Sequence, residues 1–265
     1  MGFKVKGVVI EYLEKPKVKK GRLIQGLLGV GQVGLMAGKQ IIDSTKARKI
    51  AHIYSSSFLY PGVVLPGVVY DDKNLVDLHR NEIYFDEEKE IFIITGIYQG
   101  TSPESYFEVA EATTEFCREV GVKEIYTLGG YGVGKKIEEP AVYGVVYSEE
   151  RKKELDENNI ELLKATDGTL GATGLAGILI PLGEKNGFKS VCLLAETPGS
   201  YPDPKASKTI LSVLSKLIDI EISSEELDEQ IKTMEKELAK MEEYERKMSE
   251  MYKTPSKEET LHYIG

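Results

Sequence analysis

Arg22-Leu23-Ile24-Gln25-Gly26-Leu27-Leu28 runs directly into Gly29-Val30-Gly31-Gln32-Val33-Gly34. The first seven residues form a short, nearly continuous apolar run, the pattern of a strand covered on both faces. The glycines that follow turn the chain into a helix. Similar apolar runs at residues 5–12, 49–54, 90–95, 124–128, 142–147, 160–164 and 190–195 alternate with helical patterns as far as Ile222. That alternation predicts an α/β fold with a largely buried sheet and one domain over residues 1–222. Residues 68–85 depart from it in short β-rich pieces broken at Asp71–Asn74, which predicts an antiparallel excursion or a hairpin.

Two helices are marked by their ends. Thr101-Ser102-Pro103-Glu104 supplies a hydroxyl cap, a first-turn proline and a carboxylate, and Tyr106, Ala110, Thr113, Phe116 and Val120 then repeat at helical spacing up to Gly121. Ala206, Ile210, Val213 and Leu217 mark a second amphipathic helix after the proline-rich turn. From Ser223 the composition shifts: 12 acidic against 7 basic side chains give this last stretch −5 of the chain's −9. Within it Leu227, Ile231, Met234, Leu238 and Met241 alternate spacings of four and three. We read residues 223–253 as a heptad-patterned helix that either packs on its own domain or pairs with a neighbouring subunit. Residues 254–265 follow as a polar tail that closes on Leu261-His262-Tyr263-Ile264-Gly265, an apolar, tyrosine-bearing docking element.

The chain has 265 residues, 41% hydrophobic and 29% charged, which excludes disorder. Its net negative charge offers no basic field to a phosphate backbone, so nucleic acid is not an expected partner. The longest apolar run, near residues 170–182, is too short and glycine-broken to span a bilayer, and the first ten residues lack a signal-peptide core. Membrane association is not expected. Cys117 and Cys192 sit far apart within apolar stretches and read as buried thiols of a reducing cytoplasm. Abundant Lys and Glu beside scarce Asn and Gln fit a heat-adapted source.

Chemistry-bearing motifs are sparse. Gly29 to Gly34 has the GxGxxG spacing that holds a pyrophosphate on helix amides, but the next strand ends Tyr54-Ser55-Ser56-Ser57 without the acid a ribose needs. Tight strand-to-helix packing is the preferred reading. Gly129-Gly130-Tyr131-Gly132-Val133-Gly134-Lys135 reads as a loop needing positive φ, with an anion cradle as the alternative. His52, His79 and His262 share no ligand spacing, so no metal is expected. Glu104, Glu196 and Asp203 lie near strand ends or helix starts, where acid–base groups of α/β enzymes sit, and their convergence is undecided. The basic run Lys15 to Arg22 reads as a solvated hairpin tip.

Gly26 to Gly34, Ile50-Ala51-His52-Ile53-Tyr54-Ser55-Ser56-Ser57-Phe58 and Thr95-Gly96-Ile97-Tyr98-Gln99-Gly100-Thr101-Ser102-Pro103-Glu104 resemble the proteasome assembly chaperone family in its archaeal branch. So do Leu128 to Gly134 and Leu194-Ala195-Glu196-Thr197-Pro198-Gly199. The resemblance implies a three-layer α/β/α sandwich, phosphorylase- or hydrolase-like, with the C-terminal helix as an extension. It implies a homo-oligomeric scaffold that engages proteasome α-subunits or a related protein client, with no catalytic residue and no cofactor. In that family a C-terminal hydrophobic–tyrosine–any motif enters pockets between α-subunits. Here Tyr263 stands third from the end where the motif has it second, and His262 precedes it. The alternative is an ATP-grasp-like or phosphorylase-like enzyme that binds nucleotide or phosphate at one of the glycine-rich loops.

Overall fold

Apolar runs and helical repeats alternate along the chain as β1 (Phe3–Val5), β2 (Val8–Tyr12), β3 (Gly21–Leu27), a 3₁₀ turn (Val30–Gln32), α1 (Val33–Asp43), β4 (Arg48–Ser55), β5 (Val68–Tyr70), β6 (Val76–Leu78), β7 (Arg80–Asp86) and β8 (Ile91–Gly96). Then come α2 (Pro103–Val120), β9 (Val122–Gly132), β10 (Val142–Val146), α3 (Glu149–Glu157), α4 (Gly174–Lys185), β11 (Lys189–Thr197), α5 (Pro204–Ile218) and α6 (Glu225–Tyr252). This computed structural model describes residues 2–5, 7–63, 65–164 and 171–252.

Nine strands form one mixed sheet in the order β1-β2-β4-β7-β8-β3-β9-β11-β10. At its centre β8, β3, β9 and β11 run parallel, and the strands to either side are antiparallel. Parallel strands need crossovers that cover both faces, which is why these four read as continuous apolar runs. On one face α2 and α4 cover Phe92, Ile94 and Ile125, with Phe116 and Leu179 filling the layer between. On the other, α1 and α5 cover Ile24, Ile93 and Leu193 through Val33, Ile41, Ile210 and Leu214. Each such side chain, fully buried, contributes roughly 1.5–3 kcal/mol. The architecture is the three-layer α/β/α sandwich.

The marked helix ends behave as their chemistry requires. Ser102 Oγ accepts from the Ser105 amide at 3.3 Å, and Ser105 Oγ accepts from the Ser102 amide at 2.9 Å. Two amides at the start of α2 are thereby satisfied. Gly121, at φ +90°, ends the helix.

Several expectations require correction. Residues 160–164 form no strand: they touch β10 through one bridge, Gly144 to Leu162, after the left-handed Asn159 has ended the turn following α3. The basic run Lys15 to Arg22 is no hairpin tip, because β4, β7 and β8 stand between β2 and β3 in the sheet. It is a crossover held under the end of α2, with Lys15 paired to Glu119 at 2.9 Å and the Val18 amide bonded to the Val120 carbonyl. The expected strand over residues 5–12 divides instead: Val5 ends β1, and β2, from Val8 to Tyr12, pairs antiparallel with it, Val5 opposite Val8. The excursion at 68–85 contains a separate two-stranded hairpin, β5 with β6, before β7 rejoins the sheet.

Candidate functional site

The carboxyl ends of β3, β8, β9 and β11 meet at one edge of the sheet, the position where α/β folds place ligands. There the turn after β3, the loop after β8 and the first turns of α2 and α4 enclose a cleft of about 630 Å³. Its walls are mainly apolar and aromatic, including Leu27, Tyr106, Phe107, Tyr131, Ile178 and Leu194. Among the described residues none that line it is an acid, a base or a thiol.

Two glutamines supply its most prominent polar groups. Gln99 Nε2 donates to the Leu28 carbonyl, and Gln99 Oε1 accepts from the Leu175 amide at 3.0 Å. One side chain thus fastens the turn after β3 to the start of α4. Gln25, only 1% exposed, sits deeper, and its Oε1 has no hydrogen-bond partner among the described residues.

The glycine turns are filled by protein. A Cβ on Gly31 would lie 2.5 Å from Thr197 Oγ1, and one on Gly34 would lie 2.3 Å from the Leu128 carbonyl oxygen. The Gly31 carbonyl accepts from the Asp203 amide at 2.8 Å. These glycines let α1 and the 3₁₀ turn seat against β9 and β11, as the packing reading expected. The second cluster corrects the loop reading: Gly129, Gly130 and Gly132 lie within β9, and only Gly134, at φ +68°, needs the left-handed region. Gly130 is required by approach instead, since its Cβ would stand 2.3 Å from the Val30 carbonyl oxygen.

The candidate acids do not converge. Glu104 is exposed in the first turn of α2, where a backbone hydrogen bond and Ser102 hold its carboxyl below the usual range. Glu196 accepts from the Tyr143 hydroxyl at 3.2 Å and the Ala141 amide at 3.3 Å, pinning the edge strand β10. Asp203 is buried and caps α5 through the Ala206 amide at 2.9 Å. His52 lies on β4, 3.7 Å from Glu11, and His79 Nδ1 lies 2.5 Å from the Tyr98 hydroxyl. No group of three or more His, Cys, Asp or Glu among the described residues is placed to hold a metal ion. No helix among them is long and apolar enough to cross a membrane.

The α6 residues take different positions. Leu227 is 1% exposed and belongs to the core beside α5. Ile231 and Met234 are half-buried along grooves that also expose Tyr201. The Gln40 side chain fixes the helix entry by donating to the Ser223 carbonyl at 2.9 Å, and Lys208 pairs with Asp228 at 2.5 Å. The side chains of Leu238 and Met241 lie outside the described residues, as do Leu261, His262, Tyr263, Ile264 and Gly265.

Among the described residues the cleft is lined by no acid, base or thiol, the glycine turn is filled by protein at Gly31 and Gly34, and α6 packs against α5. The family model described as PAC2 family matches residues 23–242. The chain belongs to the PAC2 family. Among curated relatives, the uncharacterized protein MJ1210 of Methanocaldococcus jannaschii is 35% identical over 267 residues, covering 100% of both chains. Among solved structures, Pyrococcus furiosus PbaB, described as an archaeal proteasome activator, is 33% identical with a TM-score of 0.79, covering 89% of this chain and 99% of its own. Pyrococcus furiosus PbaA, described as an archaeal homolog of proteasome-assembly chaperone, is 27% identical with a TM-score of 0.72, covering 92% and 97%. This PAC2 chain shares the architecture of both over nine-tenths of its length.

Proposed function

We propose that this protein is a non-enzymatic, self-associating scaffold with a chaperone-like role, binding proteasome α-subunits or a related protein client. The observation that carries this reading is the 33% identity to PbaB across 89% of the chain, at a TM-score of 0.79. The cleft supports it from the chemical side. Proton transfer and nucleophilic attack need titratable groups within hydrogen-bond reach of a substrate, and among the described residues the wall at the carboxyl edge supplies tyrosine hydroxyls, amides and a threonine.

In this reading residues 261–265 dock on the client. The Tyr263 ring and the Leu261 and Ile264 side chains fill an apolar slot, and a carboxylate meets a lysine. Along α6, Leu238 and Met241 extend the seam of Leu227, Ile231 and Met234 toward a neighbouring subunit. The protein acts where it meets proteasome subunits, in the cytoplasm.

The test is binding of the full chain, and of a variant lacking residues 261–265, to immobilised proteasome α-rings. The reading expects saturable binding that weakens at least tenfold on truncation. Equal binding by both removes the tail as the docking element, and no binding by either removes the α-subunit as client. Saturable heat with ATP and magnesium in calorimetry would instead favour an enzyme.

A further inference from the structure

Gln25 stands on β3 between Leu23 and Leu27, on the sheet face that α2 and α4 cover. An amide buried among such neighbours needs hydrogen-bond partners, and Gln25 Oε1 has none among the described residues. The hydroxyl beside it in register, that of Thr127 on β9, donates instead to the Ala176 carbonyl at 3.0 Å. Gln99, the other side-chain amide of the cleft, is engaged at both ends, with Leu28 and with Leu175. One acceptor in the lining of the cleft is therefore left over.

Two glycines of the same lining leave room in the cleft. Gly29 has an extended φ of −162°, which any residue adopts, and the one atom a Cβ there would meet within 4 Å is Gln99 Nε2, at 4.0 Å. At Gly129 a Cβ would meet the tip of the Leu194 side chain. Neither position is pressed by backbone as Gly34 is, so side chains at 29 and 129 would occupy the cleft and leave the packed interior alone. The rim is apolar, with Phe107 and Val30 exposed by 51% and 47%, and the Tyr106 and Tyr131 rings stand along the walls.

We infer that the cleft binds an uncharged aromatic molecule whose N–H or O–H donates to Gln25 Oε1. Its volume of about 630 Å³ falls within the range of roughly 300–1,000 Å³ that holds drug-sized ligands. The ligand is neutral because, among the described residues, no charged side chain lines the cleft to offset the desolvation of an ion. The Leu175 amide, which at the start of α4 could receive an anion, is already held by Gln99. Aromatic surface matches the tyrosine and phenylalanine rings. A donor satisfies the amide without a new desolvation cost to the protein, since Oε1 is already out of water. The inference goes beyond the scaffold reading and involves neither α6 nor the tail, so failure of either leaves the other standing.

Indole is the probe for the test: it is neutral, it donates one N–H, and its fluorescence is seen alone because the chain contains no tryptophan. Titration of indole with the full chain, excited beyond tyrosine absorption, is expected to give a saturable blue shift. N-methylindole lacks the donor and is expected to bind about tenfold more weakly. Indoleacetate adds a charge and is expected to bind more weakly than indole. In Gln25→Met the two neutral probes are expected to bind equally. Gly29→Leu fills the cleft and is expected to abolish both, with a circular dichroism spectrum like that of wild type. The absence of a saturable shift with indole overturns the inference. So does equal affinity of indole and N-methylindole for wild type, or a preference for indole that survives Gln25→Met. Undiminished binding by a folded Gly29→Leu places the probe outside the cleft and overturns it as well.

Discussion

Gly26 and Gly34 meet across the β3–α1 contact so closely that a Cβ on Gly26 would lie 2.5 Å from the Gly34 carbonyl oxygen. Both partners in that contact are backbone, so neither can turn aside. Gly26→Ala is therefore expected to cost roughly 1–3 kcal/mol through overpacking. At Gly129 a Cβ meets only the end of the flexible Leu194 side chain, at 3.1 Å, and Gly129→Ala is expected to stay under about 1 kcal/mol. Urea unfolding of the two variants measures the difference. Equal, small losses would mean that the glycine turn is not held by packing.

Gln25 gives a prediction of opposite sign. Its Oε1 is buried without a hydrogen bond beneath the cleft, and a buried acceptor left unpaired costs about 1–3 kcal/mol. Gln25→Met keeps the volume and removes the polar atom, so the melting temperature is expected to hold or rise. A clear fall would show that the amide holds a partner in solution without added ligand.

Leu227 ties α6 to the body. Its side chain is 1% exposed within the core shared with α5, so Leu227→Ala is expected to cost about 2–5 kcal/mol. The loss concentrates in α6, and limited proteolysis is expected to cut that helix first in the variant. Protection equal to wild type would place the anchor elsewhere.

Stability is expected to fall on the acid side through two groups. Burial, then the nearby Arg80 and Lys49 charges, hold the His52 ring below its ordinary 6.5. The unfolded chain therefore binds a proton that the folded one refuses, and stability drops as pH falls below 6.5. Glu82 acts lower down. Burial pushes its carboxyl up, but hydrogen bonds from Lys49 and from the Tyr84 hydroxyl, at 2.8 Å, outweigh that and hold it below 4.5. Its contribution is complete above 4.5 and is lost as pH falls through the lower folded value. Denaturant titrations at successive pH values are expected to show His52→Gln flattening the upper part and Glu82→Gln the lower part. Slopes identical to wild type would contradict both assignments.

The residues explain how much was legible in the sequence. Local chemistry was: the Ser102-Pro103 cap, the Asp71–Asn74 turn and the glycine entry to α1 each depend on neighbours a few positions apart. Partner choice over long separations was not. Lys15 to Arg22 has the composition of a hairpin tip, and only the sheet order reveals three strands between its flanks. Gly129 to Gly132 lie inside a strand because Val30 and Thr197 press against Gly130, a constraint that glycine does not announce. Residues 160–164 carry strand-forming side chains but find one bridging partner. The cleft draws Gln25, Gln99, Tyr131 and Thr173 from separate segments, and their spacing encodes no convergence.

The most direct test mixes the full chain with proteasome α-subunits and weighs the products by native mass spectrometry. A client-binding scaffold gives mixed species of fixed stoichiometry whose abundance grows with the α-subunit added. Separate masses at every ratio, with no species containing both chains, would contradict the account.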